Sequence, residues 1–113
     1  MKICQICAVD FTLKKFLLPL VDELLNNNNE VISVCSKGIY YDELKSKYNI
    51  HPIHISRSFN VFHHLKSSIR IYFFFKKNNF DVVHVHTPVA SIIVRIAAKL
   101  AGVKLIIYTA HGF

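Results

Sequence analysis

Three histidines lie where two apolar segments of this 113-residue chain end. His84 and His86 belong to the segment DVVHVH, and His111 follows the segment LIIYTA. Both segments have the composition of buried parallel strands. In an open α/β sheet, ligands bind beyond the carboxyl ends of the strands. The positions of the histidines therefore predict a binding site at that edge of a sheet.

His86 lies directly before Thr87-Pro88, where a helix is predicted to begin. A helix N-terminus offers free N–H donors and a positive dipole end, which suit an anionic or sugar-hydroxyl ligand. His86 therefore fits a ligand-binding role and a structural role equally well. We expect His84 to lie deeper, as a hydrogen-bonded core histidine.

His111 is followed by Gly112. A glycine lets the backbone turn sharply, so that the neighbouring ring can face a cleft. The His-Gly pair is weak evidence by itself, but loop positions beyond central strands often carry function. We therefore favour a functional role for His111.

Apolar segments alternate with helical patterns along the whole chain. Strands are predicted at 2–9, 30–36 and 50–56, with two more in the last third of the chain. Pro52 should keep the third strand at the edge of the sheet. Helices are predicted after Thr12, at 42–48, at 60–79 and between Thr87 and Gly102, although Pro19 requires the first helix to kink or to begin later than Thr12. Right-handed crossovers then give a single α/β domain over residues 1–113, a doubly wound, Rossmann-like parallel sheet of about five strands in the order 3-2-1-4-5.

Composition excludes several classes of protein. With 52% hydrophobic and 19% charged residues the chain is globular. No apolar run has the ~20 residues of a membrane span, and we expect no signal peptide. An odd count of three cysteines does not indicate a disulfide framework, so we expect a cytoplasmic protein. The net charge is +7, but the basic residues are dispersed, so we expect no nucleic-acid binding.

Two motifs near the N-terminus favour structural interpretations. The loop after the first strand has no glycine, which disfavours NAD or FAD as a cofactor. Asp10 has the position of a phospho-acceptor, but the last strand ends in Thr109-Ala110-His111 without the lysine of receiver domains. Cys4 and Cys7 form C-x-x-C inside a strand, where odd spacing directs the side chains to opposite faces. We interpret them as buried core residues.

The run Tyr72–Lys77 (YFFFKK) has two interpretations. It can be the core face of the long helix with solvated lysines, which we favour. Alternatively, it is an amphipathic surface with a basic and aromatic border that contacts anionic lipid. Three consecutive phenylalanines cannot share one helical stripe, so at least one ring should lie off it.

Taken together, these segments resemble a known family. The segment DVVHVHTPVA from Asp81, the helix ending in Ala-Gly, and the segment YTAHGF from Tyr108 are similar to the N-terminal domain of GT-B glycosyltransferases of family 4. The likeness covers essentially the whole chain and is greatest to bacterial capsule and exopolysaccharide enzymes. That subgroup also has a proline inside the first helix.

The resemblance implies a function. Such enzymes move a sugar from a nucleotide-sugar to an acceptor, usually without a metal, so the resemblance implies no metal and no cofactor besides the donor substrate. The acceptor is often a lipid-linked saccharide at the inner face of the cell membrane. It implies that His111, with Gly112 beside it, lies near the donor as the catalytic candidate. It also implies substrate-binding positions at Asp10 and Thr12 in the first loop, and at His86 and Thr87 at the neighbouring strand tip.

The resemblance covers only the acceptor-side domain of such an enzyme. We therefore expect a C-terminal domain or a partner chain to supply the nucleotide pocket, and no measurable transfer by the 113 residues alone. The alternative is a non-catalytic adaptor that recruits a catalytic partner to the membrane. Peripheral membrane contact is expected in either case.

Overall fold

Five parallel strands form one sheet in the order β3-β2-β1-β4-β5. The computed structural model describes residues 1–9, 12–55, 61–86 and 88–109. The strands are β1 (Lys2–Val9), β2 (Glu30–Ser36), β3 (Ile50–Pro52), β4 (Val82–Val85) and β5 (Leu105–Tyr108). The predicted fold class and strand order are confirmed.

Helices cover both faces of this sheet. They are a π-helical turn (Leu13–Leu17), α1 (Leu18–Asn26), α2 (Tyr41–Lys45), α3 (Val61–Asn78) and α4 (Pro88–Leu100). A first core joins α3 and α4 to one face, with Ile71, Phe75 and Val94 among its members. A second core joins the π-helical turn, α1 and α2 to the other face, and its strand residues come from β1, β2 and β3.

The two cysteines of the C-x-x-C motif lie on opposite faces of β1. Cys4 belongs to the first core and Cys7 to the second, and both are fully buried. Burial also raises the pKa of the Cys4 thiol, because a thiolate would lose its hydration there. The structural interpretation of the motif is therefore confirmed, since two thiols separated by a sheet cannot bind one metal ion.

Pro19 is accommodated by a late start of the first regular helix. The Leu18 N–H bonds to the Leu13 carbonyl, which closes a π-type turn, and Pro19 then lies in the first turn of α1. A proline is tolerated there because the first N–H groups of a helix have no partner within it. Thr12 already has helical backbone angles, and its side chain makes no capping hydrogen bond.

β3 and α2 are shorter than predicted. β3 ends at Pro52 rather than continuing to residue 56. The Ile55 N–H bonds to the Ser36 hydroxyl at 2.9 Å, so a side chain takes the place that a ladder carbonyl would have. α2 ends at Lys45 because residues 46–48 form a turn, in which the Tyr48 N–H donates to the Leu44 carbonyl at 2.9 Å.

The long helix α3 separates its three consecutive phenylalanines. Phe74 and Phe75 are buried in the first core, whereas the Phe73 side chain is 63% exposed. One ring therefore lies off the packed stripe, as predicted, and that ring is Phe73. None of the helices within the described ranges has the length and hydrophobicity of a membrane span.

Candidate functional site

The carboxyl ends of β1, β4 and β5 lie side by side at one edge of the sheet. β1 pairs with β4, and β4 pairs with β5, all in parallel. Two of the predicted site residues lie there within the described part of the chain, Thr12 after β1 and His86 after β4. The other four, Asp10, Thr87, His111 and Gly112, lie outside it.

His86 is held inside this edge of the sheet. Its side chain is only 1% exposed, and its ring Nε2 bonds to Gln5 Oε1 at 2.5 Å. Because an amide oxygen can only accept, this bond makes Nε2 the protonated nitrogen. The backbone N–H of His86 also donates to the Ile6 carbonyl at 3.1 Å, which extends the β1–β4 pairing past the end of the strand.

His84 lies nearer to solvent than His86. Its side chain is half-buried, and its Nε2 lies 2.6 Å from Thr109 Oγ1, at the end of β5. The prediction that His84 would be the deeper of the two is therefore wrong. His84 is on the same face of the sheet as the second core. The strand residues of that core come from β1, β2 and β3, so its helices do not extend over β4 and His84.

The two histidines join three strands through a polar cluster of Gln5, His84, His86 and Thr109, which we call the strand-tip cluster. The rings of His84 and His86 have centroids 3.9 Å apart and are tilted by 45°. The partners Gln5 and Thr109 were not predicted as site residues. Gln5 does interrupt an otherwise apolar strand, and that polar interruption was the signal available in the sequence.

Thr12 lies at the beginning of the helical segment that follows β1. Its side chain is buried and its hydroxyl makes no capping bond. Among the residues with described positions, no group of three His, Cys, Asp or Glu side chains is placed to hold a metal ion. Of the strand-tip cluster, His84 and Thr109 are half-buried, so they are the members that a ligand beyond this edge of the sheet could reach.

A separate cleft of about 670 Å³ lies between β3 and α3. Asn49, His51, Arg70 and Lys77 are among its lining residues. The His51 ring stacks on Phe74 with centroids 4.4 Å apart. The pKa of His51 is lowered below its ordinary value of 6.5. The larger cause is partial desolvation of the ring, and the smaller is the nearby positive charge of Lys77.

Replacing His51 with glutamine should reduce the loss of stability on acidification. Below pH 6.5 the unfolded chain binds a proton at His51 more readily than the folded chain does, so protonation favours unfolding. Urea unfolding at about pH 5 and pH 7 measures the change in the free energy of unfolding for the unaltered protein and for His51→Gln. The same change in both proteins would contradict a lowered pKa of His51 in the folded state.

The family of the chain follows from comparison with known proteins. A family model described as "Glycosyl transferase 4-like" matches residues 2–113. The chain belongs to this glycosyltransferase family. Its fold is that of the N-terminal domain of a GT-B enzyme, as the sequence resemblance predicted.

Two curated proteins are similar to this family member in sequence. One, "Putative glycosyltransferase EpsD" of Bacillus subtilis (strain 168), is 33% identical over 99% of this chain and 29% of its own length. The other, the UDP-Gal:alpha-D-GlcNAc-diphosphoundecaprenol alpha-1,3-galactosyltransferase of Escherichia coli, is 41% identical over 52% of this chain and 15% of its own length. The chain therefore spans less than a third of either relative.

Solved structures share the fold of this glycosyltransferase domain. MurG of Acinetobacter baumannii superposes with a TM-score of 0.72 at 20% identity, over 95% of this chain and 33% of MurG. The C-terminal domain of a Pyrococcus furiosus hydrogenase superposes with a TM-score of 0.64 at 17% identity, over 96% of this chain and 90% of that domain. At these identities the likeness concerns the fold alone.

Proposed function

We propose that this domain binds the acceptor in a glycosyltransferase that moves a sugar from a nucleotide-sugar to a lipid-linked saccharide for cell-surface polysaccharide synthesis. The observation that carries the proposal is the match to a glycosyltransferase family across residues 2–113. The diphosphoundecaprenol acceptor named for the Escherichia coli relative supports the lipid-linked class of substrate.

The strand-tip cluster supports an acceptor site at this edge of the sheet. Thr12 and His86 follow β1 and β4, adjacent central strands, so a ligand at the carboxyl edge would meet both segments. His86 is buried and hydrogen-bonded to Gln5, so its role is to position the adjoining loop. Asp10 and Thr87 would contact the acceptor directly from the two loops.

His111 is proposed as the catalytic residue, with Gly112 allowing the turn that presents it. β5 ends at Tyr108, and the Thr109 N–H donates to the Val85 carbonyl at 3.0 Å, which continues the β4–β5 pairing. Thr109, where the described part of the chain ends, therefore lies at the same edge of the sheet as His86. A nucleotide-sugar held by a further domain or a partner chain would meet the acceptor there.

A ligand titration tests the acceptor site. Isotope-labelled protein is titrated with a short-chain prenyl diphosphate carrying N-acetylglucosamine, and its backbone amide signals are followed by NMR. We expect saturable changes at Thr12, His86 and Thr109, and none at Asn79 and Gly102, which precede β4 and β5 at the opposite edge of the sheet. Changes confined to the cleft of His51 and Lys77 would contradict this site, and the absence of binding would favour the adaptor.

A further inference from the structure

The cleft of about 670 Å³ between β3 and α3, which we call the β3–α3 cleft, lies at the edge of the sheet. β3 is the outermost strand of the described sheet on this side, and it has only three residues. Its short length and its edge position leave a space beside it that α3 borders. Sites for small molecules usually have about 300–1,000 Å³. The cleft is therefore large enough for a small organic ligand.

The charged side chains that line the β3–α3 cleft are positive. Arg70 and Lys77 lie seven residues apart on one stripe of α3, about 10 Å apart along its axis. None of the described lining residues is an aspartate or a glutamate. Within the described part of the chain, neither Arg70 nor Lys77 forms a salt bridge. A cleft lined by one sign of charge attracts ligands of the opposite sign, so this cleft favours an anion.

One end of the cleft brings a histidine near a lysine. The charge of Lys77 is felt at His51, where it contributes to the lowered pKa of that ring. Asn49, which directly precedes β3, lines the same cleft and has an amide group that can donate hydrogen bonds. A phosphate at this end would accept charge-assisted hydrogen bonds from Lys77 and a hydrogen bond from the His51 ring.

An aromatic wall lies between the two cations. Phe73 and Phe74 come between Arg70 and Lys77 on α3, and both line the cleft. Phe74 is buried, and the His51 ring stacks on it with an angle of 15° between the planes. Phe73 is 63% exposed and therefore keeps an uncovered ring surface. An exposed aromatic ring near an arginine is the combination on which nucleotide bases stack.

We propose that the β3–α3 cleft binds a nucleotide, that is, a phosphate ester of a nucleoside. The phosphate lies between Lys77 and His51, and the base stacks on Phe73 near Arg70. β1 and β2 separate β3 from β4, so the cleft is distinct from the strand-tip cluster. Binding here does not depend on the transfer of a sugar, so this proposal and the proposed function can fail independently of each other.

An NMR titration tests the site. Isotope-labelled protein is titrated in lipid-free buffer with uridine monophosphate and, separately, with adenosine monophosphate. We expect saturable changes in the amide signals of His51, Phe73 and Lys77 with at least one of the two nucleotides, and none at Thr12 and Thr109. Binding of neither nucleotide would overturn the proposal, and so would changes confined to the strand ends at Thr12 and Thr109.

Fragments of the ligand test whether both the base and the phosphate are recognised. The nucleoside lacks the phosphate, and glycerol 3-phosphate lacks the base. Each fragment should bind at least about tenfold more weakly than the nucleotide, because each makes only one of the two contacts. Glycerol 3-phosphate that binds as tightly as the nucleotide would assign the cleft to phosphates in general, those of lipid headgroups included, and would overturn the assignment to nucleotides.

Two neighbouring lysines of α3 provide a matched pair of variants. Lys77→Gln should weaken nucleotide binding by about tenfold, because a charge-assisted hydrogen bond to the phosphate is lost. Lys76→Gln removes the same charge from a residue that does not line the cleft, and should change binding by less than about twofold. Equal losses in the two variants would show a response to net charge alone and would overturn the site.

Phe73→Ala tests the contact with the base. It should weaken binding of the nucleotide and leave binding of glycerol 3-phosphate unchanged, because only the base stacks on that ring. The Phe73 side chain is largely exposed, so the variant should remain folded. Unchanged nucleotide binding by Phe73→Ala would contradict the stacked base.

The His51 ring gives a readout inside the cleft. Its protonation is followed by NMR as the pH is lowered, with and without saturating nucleotide. The bound phosphate should raise the pKa of His51, because its negative charge favours the imidazolium and opposes the positive charges of Arg70 and Lys77. The nucleoside, which has no phosphate, should leave the pKa of His51 where it is. The same pKa of His51 with and without bound nucleotide would overturn the proposal.

Discussion

Replacing Phe75 with alanine is expected to lower the free energy of unfolding by about 3–5 kcal/mol. The Phe75 side chain is 1% exposed and belongs to the first core. Its ring meets Phe74 and Phe80 with centroids 6.2 and 5.9 Å apart. Removing the ring leaves a cavity between α3 and the sheet that these neighbours cannot fill. Urea unfolding followed by circular dichroism measures the loss.

The same helix provides a matched control of the same residue type. Phe73 lies two positions earlier on α3 and is 63% exposed, so Phe73→Ala should change the free energy of unfolding by less than about 0.5 kcal/mol. Equal losses for Phe73→Ala and Phe75→Ala would contradict the orientation of α3. A small loss for Phe73→Ala would show that this exposed ring does not contribute to the first core.

The sheet was predictable because its strands are continuous apolar runs. The bounds of β1 and β2 agree with the prediction, since each run ends at a polar or turn-forming residue. Gly102 has a left-handed backbone angle, φ +81°, as expected of the residue that ends α4. β3 was predicted too long because the alternation of residues 50–56 persists after Pro52, where a Ser36 side-chain bond replaces the ladder.

The candidate site was only partly predictable. The pattern of β4 placed His84 and His86 on one face, but their relative depth depends on which helices cover that face. Gln5 and His86 lie 81 residues apart in the sequence, and the parallel register of β1 and β4 brings them together. A single sequence contains no signal for that pairing beyond the polar interruption at Gln5.

Replacing Gln5 with leucine is expected to destabilise the domain by about 1–3 kcal/mol, because His86 then loses a buried hydrogen-bond acceptor. Gln5 is 1% exposed, so water cannot replace its amide oxygen without opening the sheet. His86→Leu should cost a similar amount by leaving the Gln5 amide without that donor. Urea unfolding of both variants measures these losses.

The double variant Gln5→Leu with His86→Leu separates the hydrogen bond from simple packing. Replacing both partners of a buried bond by apolar groups can be nearly neutral, so the double variant should be more stable than the sum of the two losses predicts, by about 1 kcal/mol or more. A double variant whose loss of stability equals the sum of the two single losses would contradict the hydrogen bond between Gln5 and His86. Recovery of stability should not restore acceptor binding, because leucine at residue 86 cannot hold the loop that His86 positions. A double variant that regains stability and also binds the prenyl diphosphate normally would show that the strand-tip cluster has a structural role only.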